Sequence, residues 1–305
     1  MINRRALLGA AAALAFSARA AGGAQSSKLI LLGTAGGPSP KPNRAASAQA
    51  IVIGDRIYVI DCGNGVARQL VLAGQKLDQL AHIFITHHHS DHNADYGNLL
   101  LLAWANNLAT SVSSWGPPPL KRMTRQFLAL NQTDIGIRIA DEGRVDPAKL
   151  IKPNELRQAG LVMADDRVRV TAALVDHPPV VPSFAYRFDS ADRSIVISGD
   201  CRPSPALVAL AKGADVLVHE VMHLPSLEVL IASEPNAKTL REHLIASHTS
   251  TEQVGKLATE AGVRTLVLSH FVPGGYPFLS DSIWFDAVRP HFAGELIIGR
   301  DLMMI

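Results

Sequence analysis

From residue 28 onward, short β-rich apolar runs alternate with helix-like stretches. The runs at 29–32, 50–53, 57–60, 83–86, 168–174, 185–188, 195–198, 216–218, 266–269 and 296–298 predict strands, rich in Ile, Val and Leu and short enough for a sheet interior. Helices are expected over 65–73, 94–109, 120–130, 205–212, 251–261 and 282–289. Ser250, just before Thr251-Glu252-Gln253, is a candidate N-cap, because its oxygen can accept from an unpaired first-turn N–H. No Ser- or Gly-rich linker divides the chain, and no repeat of the solenoid or propeller period is found. The Gly- and Pro-rich stretch 33–43 is too short and too early for a domain boundary; its 33–38 part lacks the Gly-Lys-Ser/Thr ending of a phosphate loop and reads as an early turn. The stretch 141–166 is polar and weakly patterned, and reads as a variable surface insertion. Periodicity alone implies a layered α/β domain.

The chain has 305 residues, of which 48% are hydrophobic and 18% charged, enough to bury a large core and to exclude wholesale disorder. Its formal charge of +2 depends on Arg4, Arg5 and Arg19 in a first segment without acidic residues. Leaving out residues 1–20, 26 basic residues face 27 acidic ones, so the balance argues against a polyanionic partner such as nucleic acid. That first segment has Arg4-Arg5 ahead of an apolar run at 6–18, then Ala18-Arg19-Ala20, a small-x-small cleavage pattern. It predicts an export signal over 1–20, resembling the twin-arginine type, and places the domain at 28–305 in the periplasm or outside the cell, with no membrane span. Cys62 and Cys201 are too few for a cysteine-built zinc site. Each follows an aspartate at a strand end, so a disulfide between them stays open beside the reading of two buried thiols.

The chemistry concentrates in Thr86-His87-His88-His89-Ser90-Asp91-His92, directly after the strand at 83–86. His87, His89, Asp91 and His92 spell H-x-H-x-D-H, with donors of the kinds zinc accepts. Four donors within six residues suit two adjacent ions better than one. Further donors should follow other buried strands, since ligands gather at strand carboxyl ends in open α/β sheets. The residues so placed are Asp61, His177, Asp200, His219-Glu220 and His270. Burying them apart and unpaired would cost several kcal/mol each, which convergence on one metal centre removes.

With these residues in order, the chain resembles the metallo-β-lactamase superfamily over essentially all of 28–305. His177-Pro178-Pro179-Val180, Ser198-Gly199-Asp200, His219-Glu220, Ser247-His248-Thr249-Ser250 and Leu268-Ser269-His270-Phe271 look like its ribonuclease Z, arylsulfatase and phosphodiesterase branch. The resemblance implies a single-domain αββα sandwich. It also implies two Zn²⁺ ions, with manganese or iron as alternatives. One ion would be held by His87, His89 and His177, the other by Asp91, His92 and His270, with Asp200 bridging. His248 and Glu220 join Asp91 as the catalytic set, His248 protonating the leaving group or holding the substrate anion and Glu220 coupled to it. Asp61 is expected to orient a ligand imidazole. His88 is expected to be a bystander, and His82, His223, His243 and His291 to be structural or solvent-facing. Trp104, Trp115 and Tyr276 are candidates for an apolar substrate wall or for core packing, and loops at 105–120, 180–183 and 274–280 for pocket walls.

The leading expectation is an exported dinuclear zinc hydrolase of small-molecule phosphate or sulfate esters, arylsulfatase-like or phosphodiesterase-like. The alternatives are a ribonuclease Z-like endoribonuclease and a β-lactamase; a metal-bearing scaffold without turnover has least support. Export and a charge balance that is not basic weigh against nucleic acid. The resemblance is compatible with a homodimer.

Overall fold

The computed structural model describes residues 26–275 and 278–305, so the expected export signal and Tyr276 lie outside the described residues. The first sheet contains β1 (Ser27–Gly33), β2 (Ala48–Ile53), β3 (Arg56–Ile60), β4 (Leu80–Phe84), β5 (Val112–Gly116) and β6 (Ile151–Glu155). The second contains β7 (Gly160–Ala164), β8 (Val168–His177), β9 (Val180–Ser190), β10 (Ser194–Ile197), β11 (Val216–Met222), β12 (Thr265–Val272) and β13 (Glu295–Ile298). The terminal β14 (Met303–Met304) returns to the first sheet beside β1. The orders are β14-β1-β2-β3-β4-β5-β6 and β13-β12-β11-β10-β9-β8-β7. Each sheet is mixed: β3 to β6 run parallel, as do β10 to β13, and the rest pair antiparallel.

The helices are α1 (Val66–Leu72), α2 (Ser90–Asn93), α3 (Tyr96–Ala105), α4 (Leu120–Leu130), α5 (Gln132–Glu142), α6 (Pro147–Leu150), α7 (Pro205–Ala211), α8 (Leu227–Ala232), α9 (Leu240–Ser247), α10 (Thr251–Ala261) and α11 (Asp281–Val288). The layers follow from the period of two along each strand. In β1, Leu29 and Leu31 face the second sheet while Ile30 and Leu32 face the outer layer with Val66 and Leu99. Phe184, Tyr186 and Phe188 of β9 meet Phe84 between the sheets. Leu207, Leu257 and Trp284 cover the far side of the second sheet. Both faces being buried, the inner strands read as continuous apolar runs rather than alternating ones. The result is a single αββα domain of helix, sheet, sheet and helix layers.

The stretch 141–166 differs from its expectation as an insertion: it holds the end of α5, then α6, β6 and β7. Both strands are outermost and have a single neighbour, so little apolar surface is needed to seat them. Pro153 is tolerated there because an edge strand can spare an N–H. Strand β5 escaped notice because Ser113 and Ser114 break its apolar pattern; buried Ser114 is satisfied by the Tyr96 hydroxyl at 2.7 Å. Ser250 caps α10 as expected, in a capping box with Gln253. Cys62 and Cys201 are free, buried in the cores under opposite helix layers. Among the described residues no helix is long and apolar enough to cross a membrane.

Candidate dinuclear metal centre

Two groups of donors meet where the parallel strands of both sheets end. His87, His89, His177 and Asp200 form one, and Asp91, His92, Asp200 and His270 the other, so Asp200 belongs to both. His87 to His92 follow β4, His177 ends β8, Asp200 follows β10, and His270 lies near the end of β12. The turn before Asp200 needs Gly199: its φ is +59°, and a Cβ there would lie 2.9 Å from Thr86 Cβ. His270, with φ +43°, and Asp61, with φ +60°, also hold backbone conformations that are rare for non-glycine residues, as happens where structure is organised around a site.

In the first group His87 Nε2 and His177 Nε2 approach His89 Nδ1 to 3.0 and 3.1 Å, with Asp200 Oδ2 4.0 Å from each. In the second, His270 Nε2 lies 3.2 Å from Asp91 Oδ2 and 3.1 Å from Asp200 Oδ2, and His92 Nε2 is 3.6 and 3.3 Å from the same oxygens. A tetrahedral cation with bonds near 2.0–2.1 Å would separate its donors by roughly 3.3 Å, close to this spacing.

The hydrogen bonds behind the donors fix which atoms face inward. The Thr86 hydroxyl donates to Asp61 and so accepts from His87 Nδ1 at 3.0 Å. The Ser247 carbonyl accepts from His177 Nδ1 at 2.9 Å. Both rings therefore aim an Nε2 lone pair at the same point beside His89. Asp61 likewise accepts from His92 Nδ1 at 2.7 Å, turning the Nε2 lone pair towards Asp91 and Asp200. Convergent lone pairs call for a cation, and Asp200 Oδ1 is buried without a hydrogen-bond partner among the described residues. The residues present thus fit a pair of divalent ions.

The electrostatics agree. Burial and the facing His177 hold the His89 imidazole down at about 4, so it stays a neutral donor. Burial opposes a charge on His92, yet Asp200, Asp61 and Asp91 outweigh it and raise its affinity for a proton well above the usual range, the same negative field that favours a metal cation in place of that proton at Nε2. Burial would lift the Asp91 carboxyl, but His92 and His270 carry it well below the ordinary carboxylate range.

Beside the second group, His248 Nδ1 donates to Glu220 at 3.1 Å. The backbone N–H groups of Cys201 and Thr249 also donate to Glu220, at 3.0 and 3.3 Å. Burial works against a charged imidazole at His248, but the Glu220 carboxylate overrides it and lifts the ring to about 9.

A cleft of about 640 Å³ opens over His89, Asp91, Asp200, His248 and His270, walled by 36–42, by α8 and α9, and by 272–275 with Phe278. The early Gly-rich turn has a role here that its sequence did not announce: Gly37 N–H donates to Asp91 Oδ2 at 3.0 Å. Gly36 packs so closely that a Cβ would lie 2.7 Å from the Phe271 carbonyl and 3.0 Å from His270 Cε1. Of the candidate walls, 105–120 and 180–183 take no part, while 274–275 and Phe278 do. Trp104 and Trp115 stay away from the cleft, Trp104 buried with its N–H on the Val145 carbonyl and Trp115 packed at the sheet interface.

His88 is tied to the Pro117 carbonyl and to Asn93, His82 stacks on Tyr58, and His223 bonds Ser226, all outside the donor groups. His219 is buried with Nδ1 on the Glu220 carbonyl and joins neither group. His243 is half-buried and lines the cleft.

A family model described as a beta-lactamase superfamily domain matches residues 56–271, and the chain belongs to the metallo-β-lactamase superfamily. It is a metal-dependent hydrolase of ester bonds. Its relatives include the ribonuclease Z of Mycolicibacterium gilvum, 32% identical over 278 residues that cover 90% of this chain and 94% of the relative. The ribonuclease Z of Mycobacterium bovis BCG is also 32% identical over 278 residues, covering 90% and 96%. Among solved structures, a metallo-β-lactamase fold protein of Bacillus subtilis matches with TM-score 0.67 and 20% identity, covering 92% of this chain and 98% of that one. Human tRNase Z, short form, matches with TM-score 0.65 and 23% identity, covering 91% and 98%.

These relatives overturn two expectations, the arylsulfatase-like or small-molecule phosphodiesterase-like activity and the reading of nucleic acid as an unlikely partner. A whole-chain balance of −1 after residue 20 does not set the local field at the site. Two divalent cations would add four positive charges where a phosphodiester is held, and the count of Lys and Arg omits them.

Proposed function

We propose that the protein is a ribonuclease Z-type endoribonuclease that hydrolyses a phosphodiester bond in RNA, with zinc as the bound metal and transfer-RNA precursors as the substrate class. The observation that carries this reading is the two donor groups sharing Asp200, with the buried Glu220–His248 pair set against them. The ribonuclease Z relatives, aligned over 90% of the chain, support it.

His87, His89 and His177 would hold one ion, Asp91, His92 and His270 the other, and Asp200 both. Such a pair, when bound, supplies a nucleophile at neutral pH and neutralises charge on the phosphoryl group. The remaining work falls to the chain. Asp61, Thr86 and the Ser247 carbonyl keep the ligand imidazoles in the required tautomers. His248, made more basic by Glu220, carries a proton at neutral pH and delivers it to the departing ribose oxygen. The 36–42 turn holds Asp91 through Gly37 and closes one side of the cleft.

The test is cleavage of a transfer-RNA precursor with a 3′ extension by zinc-loaded protein, with and without chelator. A single chelator-sensitive cut is expected. No metal-dependent cleavage of RNA, together with turnover of aryl sulfates, would refute the reading.

A further inference from the structure

His243 stands outside both donor groups, on the face of α9 that looks into the cleft. Its ring centroid is 6.1 Å from His89, 6.2 Å from His177 and 6.1 Å from His248, beside one group and the proton donor alike. One helical turn on, Ser247 Oγ donates to the Pro178 carbonyl at 2.5 Å. A serine hydroxyl has one proton, so the same Oγ, 3.3 Å from His243 Nδ1, accepts there. In the neutral ring Nδ1 thus carries the proton and Nε2 the lone pair, and Nε2 has no hydrogen-bond partner among the described residues. The neighbouring Leu240 and Leu244 offer no polar group to compete.

A phosphodiester has only acceptor oxygens, which a lone pair repels. A sugar hydroxyl is a donor. It is also the group by which a protein tells RNA from DNA. We propose that His243 selects the sugar: Nε2 accepts a hydrogen bond from the ribose 2′-hydroxyl beside the scissile phosphate, so the site prefers ribonucleotides to deoxyribonucleotides at that position. This rests on the ribonuclease reading above and names the part of the RNA that the α9 wall recognises.

The test uses the metal-loaded protein, a cleavable RNA, and the same RNA with 2′-deoxy sugars on the nucleotides flanking the scissile bond. One neutral hydrogen bond predicts that wild type prefers the all-ribo strand by roughly 5- to 10-fold in kcat/KM. His243→Leu should lose that factor on the ribo strand alone, bringing the ratio to about one, and His243→Gln, whose Oε1 can accept, should restore part of it. An unchanged ratio in His243→Leu, or an equal loss on both strands, would overturn the inference and leave the ribonuclease reading standing. Failure of wild type to cut either strand would overturn both.

Discussion

Glu220→Gln gives the sharpest test of how the site handles protons. The amide keeps the size of the carboxylate and its Oε1 can still accept from Cys201 and Thr249, so the fold should survive. The negative charge that raises His248 is lost. With that charge the ring sits at about 9, against an ordinary 6.5. The gap of about 2.5 units corresponds to roughly 3 kcal/mol at 1.36 kcal/mol per unit, acting against the desolvation of a buried ring. Bound cations lower the value in wild type and variant alike, so the difference between them is the quantity to read. A proton donor with a raised pKa is competent below that pKa and fails as pH rises through it. The basic limb of kcat should therefore move down by about two pH units in Glu220→Gln, with a loss of roughly 10- to 100-fold at pH 8 and a much smaller one at pH 6. The assay is a pH series of single-turnover RNA cleavage, with circular dichroism as the check on folding. A folded variant with an unchanged basic limb would refute the assignment of His248 as proton donor.

Asp200→Ala should take the chain from two bound metal ions to one or none, with at least about 1000-fold loss of cleavage, because it removes the donor common to both groups; elemental analysis reads the first and kinetics the second. Asp61→Ala frees His92 Nδ1 and the Thr86 hydroxyl, so metal affinity should fall about 10- to 100-fold in a chelator competition. Gly36→Ala places a methyl against the Phe271 carbonyl and His270 and should lower kcat by about tenfold or more, read in the cleavage assay, while the thermal midpoint moves by only a few degrees. Ser250→Ala removes the cap of α10 and should cost about 1 kcal/mol in a denaturant titration.

The metal-centre residues were legible because their pattern is local and chemical. H-x-H-x-D-H sits in one loop, and the distant donors each follow a buried apolar strand, which is where a layered α/β fold gathers ligands. Edge strands β6 and β7 were not legible, since a strand with one neighbour needs little apolar signal. His243 was missed because a lone histidine on a helix shows no spacing rule, and only the packing of α9 turns it to the cleft. The part of the Gly36–Gly37 turn is invisible for a similar reason: it acts through a backbone N–H, which every residue but proline possesses. The substrate class is not legible in composition, because bound ions carry charge that no residue count records.

The most direct measurement is anomalous diffraction at the metal edge from crystals of the zinc-loaded protein. Two peaks about 3.5–4 Å apart are expected, one against His87, His89 and His177, the other against Asp91, His92 and His270, with Asp200 touching both. A lone ion, or a pair that leaves Asp200 unbound, would contradict this expectation.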